Sequence, residues 1–191
     1  MTTTSWLILS NVLLWCSEGF ANGVSNRECE LEIVKVARLY DVPVGILYAI
    51  GLTESGKGGK LQPFAMNVDG KSWFFSSRDE ALSHFWAARA RGARFIDIGC
   101  MQINFQFHGA KFVSVSEMFE ARKNVEYAGK FLRELRAREG SWVMAAARYH
   151  AGAANHSAHR RYVCQVVHRL AETGFGAWTP SARAYCSDGP R

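Results

Sequence analysis

One carboxylate stands out for chemistry. Glu54 ends the segment Ala49-Ile-Gly-Leu-Thr-Glu-Ser-Gly56, in which every neighbour before Thr53 is apolar or glycine. Removing a carboxylate from water costs free energy. The C-terminal end of a helix dipole also disfavours a negative charge. Both effects favour the protonated carboxyl, the form a general acid needs. An ordinary Glu at a frayed helix end would carry the same local sequence. A second cluster follows in Asp97-Ile-Gly-Cys-Met-Gln-Ile-Asn104. Polar Asp97, Gln102 and Asn104 alternate with apolar Ile98, Met101 and Ile103. Such a segment can bury one set of side chains and offer the other to a ligand. Side-chain amides donate and accept, which suits sugar hydroxyls and N-acetyl groups. A third cluster, Ala145-Ala-Ala-Arg-Tyr-His-Ala-Gly152, places Tyr149 near a helix end behind a run of small residues. Alone it reads as a core tyrosine with one satisfied hydrogen bond.

The elements that must position these groups are mostly helical. Ser25-Asn-Arg-Glu28 predicts a capping box before a helix with Leu31, Val34, Val36, Ala37 and Tyr40 on one face. Asp41-Val-Pro43 breaks it, and Pro43 fits the start of a second helix through Ile46, Leu47, Ile50 and Leu52. That helix is apolar on almost every side, so it must be buried. Met66 to Phe75 predicts a hairpin turning at Asp69-Gly70 and carrying Trp73, Phe74 and Phe75. Ser77-Arg-Asp-Glu80 caps a helix through Ala81, Leu82, Phe85, Trp86 and Ala90; Phe95 to Ile98 is extended. Asn124 is placed as the cap of a helix stopped at Gly140, Ser141 as the cap of Trp142 to His150, and a last helix spans about 158–172. The tail from residue 174 to 191 is expected to be irregular. The fold class is therefore α+β, mostly helical, with a small β-rich insertion.

Length and composition bound the rest. The chain has 191 residues, 48% of them apolar, and a formal net charge of +6. That suits one domain with a real core and an acidic polymer as partner. Trp6 to Cys16 is an apolar run too short for stable membrane insertion. Small Gly19 and Ala21 follow it, so residues 1–21 read as a secretory signal peptide and 22–191 as the mature domain. Residues 2–5 carry no Lys or Arg, which is irregular for a signal, and Trp15 is too large for a lipoprotein box ending at Cys16. The protein is then expected to be periplasmic or secreted. Cys29, Cys100, Cys164 and Cys186 remain in an oxidising compartment, giving two disulfides and three possible pairings. No Cys/His spacing suits a structural metal, and no metal or other cofactor is expected.

Taken together the clusters resemble the soluble lytic transglycosylase family. Glu54-Ser55-Gly56, Gly99-Cys-Met-Gln-Ile-Asn104, Asn124 opening a helix and Tyr149-His-Ala-Gly152 follow the family's order over about residues 29–170. The resemblance implies a lysozyme-like fold and cleavage of the MurNAc–GlcNAc bond of peptidoglycan glycan strands. Glu54 matches the catalytic Glu. Ser55, Met101, Gln102, Asn104 and Tyr149 match substrate-binding positions. His150 replaces the Asn usual after that Tyr and is given no role. The Asp-x-Gly-x-x-Gln-Ile-Asn pattern is also similar to animal c-type lysozymes, which makes Asp97 a second catalytic carboxylate. The implied enzyme is a monomer, and related lytic enzymes serve envelope-spanning secretion or pilus assembly. Two rivals remain: a hydrolytic muramidase using Glu54 and Asp97, and a non-catalytic glycan-binding module. Arg89, Arg91, Arg94, Arg160 and Arg161 raise nucleic acid as a partner, but no nucleic-acid motif accompanies them.

Overall fold

The computed structural model describes residues 27–151 and 156–187. The segment read as a signal peptide, Ser25 of the first capping box and Gly152 lie outside the described residues.

Two short helices begin the domain, α1 (Glu28–Leu39) and α2 (Val44–Ser55). Pro43 is the residue just before α2. The all-apolar character of α2 has the expected result: Leu47, Ala49 and Ile50 have no exposed surface. The sheet and its helix follow: β1 (Ala65–Val68), β2 (Lys71–Phe74), α3 (Arg78–Ala90), β3 (Ile96–Ile98) and β4 (Ile103–Asn104). The strands form one antiparallel sheet in the order β2-β1-β3-β4. Asp69 and Gly70 both take positive φ at the hairpin turn, as their types allow. Ser77 caps α3 by accepting from the Glu80 N–H. His84 on α3 lies 4.4 Å from the Trp73 ring and 5.1 Å from Phe75, which holds the hairpin against the helix.

Past the sheet come α4 (Phe105–His108), a 3₁₀ turn (Gly109–Lys111) and α5 (Val115–Met118). The sequence carries no clear period there, and these elements were not predicted. Three longer helices close the lobe: α6 (Ala121–Glu139), α7 (Trp142–Ala151) and α8 (His156–Glu172). Gly140 ends α6 in the left-handed conformation, and the Ser141 hydroxyl accepts the Met144 N–H at the start of α7. In the packing, α2 lies against α1 and α8, α6 against α1 and α7, and α7 against α8. The molecule is α+β and mostly helical, with its small sheet inserted between α2 and α6.

Two expectations need correction. Asn124 does not cap α6. That helix starts at Ala121 after Glu120, and Asn124 sits inside it, fully buried. Its amide donates to the Ile98 and Met118 carbonyls, both at 2.8 Å, and accepts from the Met101 N–H at 2.8 Å. A buried amide is worth more as a brace with all its groups paired than as an exposed cap. The tail is not wholly irregular either. Pro180–Ser187 forms α9, with Pro180 at its first position and the Thr179 hydroxyl accepting from Ala182 N–H. Cys164–Cys186 ties α9 to α8, and Cys29–Cys100 ties α1 to the β3–β4 turn. Among the described residues, no helix is long and apolar enough to cross a membrane.

Candidate active site

Strand register explains how the sheet sorts its residues. Asn67 pairs with Asp97, and Asp97 with Asn104, so these three polar side chains share one face. Met66, Ile98 and Ile103 share the other and are buried. Gly99 makes the turn after β3 possible. It holds φ at 80°, and a Cβ there would meet the Asn124 amide at 2.6 Å. Gln102 also takes a positive φ of 46°. Its amide donates to the Gly99 carbonyl at 2.9 Å and the Ala65 carbonyl at 3.2 Å, holding a conformation unusual for a side-chain-bearing residue.

Glu54 reaches the site from the last turn of α2. Its Oε1 accepts the Tyr162 hydroxyl at 2.6 Å and lies 3.6 Å from Nδ1 of His150. Its side chain is only 14% exposed. Asp97 faces the same cleft from β3 and accepts from the Asn104 amide at 2.7 Å. Burial pushes the Asp97 carboxyl up to about 6; the Asn104 hydrogen bond opposes this, and the charge of Glu54 adds to it. Tyr149 and Tyr162 are pushed well above the usual phenol range, first by burial and then by Glu54. Both are therefore hydrogen-bond donors at any ordinary pH.

The cleft encloses about 630 Å³ and is lined by Glu54, Asp97, Gln102, Asn104, Tyr149 and His150 among others. Phe107, His108 and Phe131 add an aromatic wall. His108 shares a 2.8 Å hydrogen bond with the Tyr127 hydroxyl, and burial lowers its proton affinity. The arrangement offers two carboxylates, one held by a phenol and the other by an amide, above a partly aromatic trough.

Most residues singled out from sequence meet here, but not all at the cleft surface. Glu54, Asp97, Gln102, Asn104 and Tyr149 line it. Ser55 and Met101 stand behind it, and both are buried. The Ser55 hydroxyl donates to the Cys100 carbonyl at 2.7 Å, and the Met101 carbonyl accepts the Tyr149 hydroxyl at 2.7 Å. Neither side chain lines the cleft; the Ser55 hydroxyl and the Met101 backbone instead help to hold the 99–102 turn. Sequence reasoning missed Tyr162 and left His150 without a role. The signal for Tyr162 was weak: a tyrosine on the inner face of an amphipathic helix must find a partner for its hydroxyl.

A sequence profile of the family described as "Transglycosylase SLT domain" matches residues 33–167. Comparison with curated proteins and with solved structures returned no match.

Proposed function

The chain belongs to the transglycosylase SLT family, and from that premise we propose that it is a peptidoglycan lytic transglycosylase with Glu54 as its general acid and base. The observation that carries this reading is the setting of Glu54. It is a nearly buried carboxyl at the end of an apolar helix, one oxygen gripped by Tyr162, at the wall of a cleft of about 630 Å³. A binding module would gain little from such a group, because burying a carboxyl costs free energy.

The reaction balances within the substrate. Glu54 donates its proton to the glycosidic oxygen between MurNAc and GlcNAc, and the C1–O bond breaks. Positive charge develops at C1 and the ring oxygen. The sugar's own 6-hydroxyl then attacks C1, and Glu54 takes the proton from that hydroxyl. The product carries a 1,6-anhydroMurNAc end, and the enzyme returns to its starting state. Asp97, on the sheet wall, is suited to stabilise the cation. Gln102, Asn104 and Tyr149 line the glycan path, while Ser55 and Met101 support it from behind. The presence of Asp97 favours one second reading, a hydrolytic muramidase in which water replaces the 6-hydroxyl.

The two disulfides support export into an oxidising compartment. They fit a secreted or periplasmic domain of residues 22–191 released from a signal peptide. The deciding experiment is mass spectrometry of a peptidoglycan digest. Anhydro ends are expected; reducing ends would establish hydrolysis instead, and no cleavage by a folded protein would overturn both.

A further inference from the structure

His150 follows Tyr149 near the end of α7, and its ring reaches the Glu54 carboxyl. Nδ1 of His150 lies 3.6 Å from Glu54 Oε1. The imidazole lies flat on the Tyr162 ring, with centroids 4.3 Å apart and planes 6° apart. Tyr162 donates to that same Oε1. Two side chains from α7 and α8, stacked on each other, thus converge on one oxygen of Glu54. We propose that His150 is a positioning residue for Glu54, and that its charge sets the pH range over which Glu54 can act as the acid. This rests on the function proposed above.

The physical argument is one of competition. At 3.6 Å the imidazole is a charge neighbour of the carboxylate rather than a close hydrogen-bond partner. An imidazolium there stabilises the carboxylate form, and so competes with the proton that Glu54 must hold to cleave the bond. A neutral Asn offers an amide but no such competition. The charges facing His150 among the described residues come from three elements: Glu54 on α2, Asp97 on β3 and Arg161 on α8. The contact with Glu54 raises the proton affinity of His150 and Asp97 adds to it; burial and Arg161 oppose. The net direction is upward, so the imidazolium persists to higher pH than in a free histidine.

Two measurements test this, one of which needs no catalysis. The first is an NMR titration of His150 in the wild-type protein and in Glu54→Gln. Loss of the carboxylate should move the His150 midpoint down by about half a pH unit or more. An unchanged midpoint overturns the proposal even if the protein proves to be a transglycosylase. The second is the pH dependence of kcat. His150→Asn should move the high-pH limb upward by about half a unit or more, roughly a threefold change in proton occupancy. His150→Lys, which keeps a positive charge, should leave the limb near its wild-type place. Coincident limbs for His150→Asn and wild type overturn the proposal. If the wild-type protein cleaves no glycan, the proposed function fails, and the titration alone judges the pairing. It decides alone as well if His150→Asn does not fold.

Discussion

The two walls of the cleft hold their carboxylates by different means. On the sheet wall, Asp97 is held by Asn104, a residue seven positions later and its direct partner across β3 and β4. Asn104 is itself fixed, because its side-chain oxygen accepts the Phe107 N–H at the start of α4. On the helical wall, Glu54 is held by Tyr162, 108 positions away, with His150 stacked on that tyrosine. One wall is a local product of strand pairing. The other exists only when α2, α7 and α8 have packed. The chemistry differs in the same sense. Asp97 has one amide donor and is pushed up to about 6, whereas Glu54 has a phenol donor and an imidazole beside it. In the function proposed above, the helical wall moves the proton and the sheet wall faces the developing positive charge.

The sharpest way to break this division is at the helical carboxyl. Glu54→Gln keeps the shape and removes the proton. Cleavage should fall by about a thousandfold, within the range general acid–base catalysis supplies, while the melting temperature stays near wild type. A variant retaining a tenth of wild-type turnover would mean that Glu54 is not the acid. The sheet carboxyl should show a smaller catalytic effect and, unlike Glu54, a gain in stability on substitution. Asp97→Asn should lower turnover at least tenfold, about 1.4 kcal/mol of barrier. Its folded carboxyl is raised from 3.8 to about 6. The stability linked to it is thus fully present below about pH 4 and is lost as pH rises through about 6. At neutral pH the ionised Asp97 destabilises the fold, so Asp97→Asn should stabilise by about 1–2 kcal/mol. Thermal melts at pH 4 and pH 7 would show the gain only at the higher pH. A gain equal at both would mean that charge is not its cause.

The same contrast explains what could be read from sequence. Periodicity and caps located the hairpin, α2, α3 and the later helices, because those signals act between near neighbours. Alternation of polar and apolar residues from Asp97 to Asn104 foretold two faces, and strand register produced them. Asn124 was misplaced because its type favours a cap, while its buried partners at Ile98, Met101 and Met118 lie far along the chain or outside its helix. Ser55 and Met101 sit in motif positions beside residues that line the cleft, yet adjacency in sequence does not say which way a side chain points. Tyr162 and His150 were illegible as a pair, since only tertiary packing stacks them. The last helix was missed for a simpler reason: it is only eight residues long and none of them is buried.

A milder perturbation isolates the phenol. Tyr162→Phe removes one hydroxyl and leaves the ring on which His150 stacks. The buried Oε1 of Glu54 loses its 2.6 Å donor. Stability should fall by about 1 kcal/mol, the usual net worth of such a bond. Turnover should fall about threefold to tenfold, because the carboxyl is less well held. Glycan binding measured by calorimetry should be unchanged. Loss of binding in step with turnover would place Tyr162 at the substrate rather than behind Glu54.

The smallest effect on catalysis is expected from the tail, and it tests whether the helical wall stands by itself. Cys164 follows Tyr162 by two residues on α8, and its disulfide joins Cys186 on α9. If that bond held α8 in place, cutting it should disturb Tyr162 and through it Glu54. The packing argues otherwise. α8 lies against α2 and α7, and α9 buries no residue, so α9 adds little to the position of α8. The paired variant Cys164→Ser with Cys186→Ser should keep activity within about twofold of wild type. It should still lose stability, because a 22-residue separation corresponds to about 3 kcal/mol of loop-closure entropy in the unfolded chain. Cys29→Ser with Cys100→Ser provides the contrast. Its separation is 71 residues, about 4 kcal/mol by the same relation. Cys100 also stands between Gly99 and Met101, in the turn that Ser55, Asn124 and Tyr149 brace. That variant should lose both stability and activity. Thiol titration of the denatured, unreduced wild-type protein should find none of these four cysteines free. If the tail variant, still folded at the assay temperature, lost more than tenfold in activity, the helical wall would depend on α9 after all, and the division between the two walls would have to include the tail.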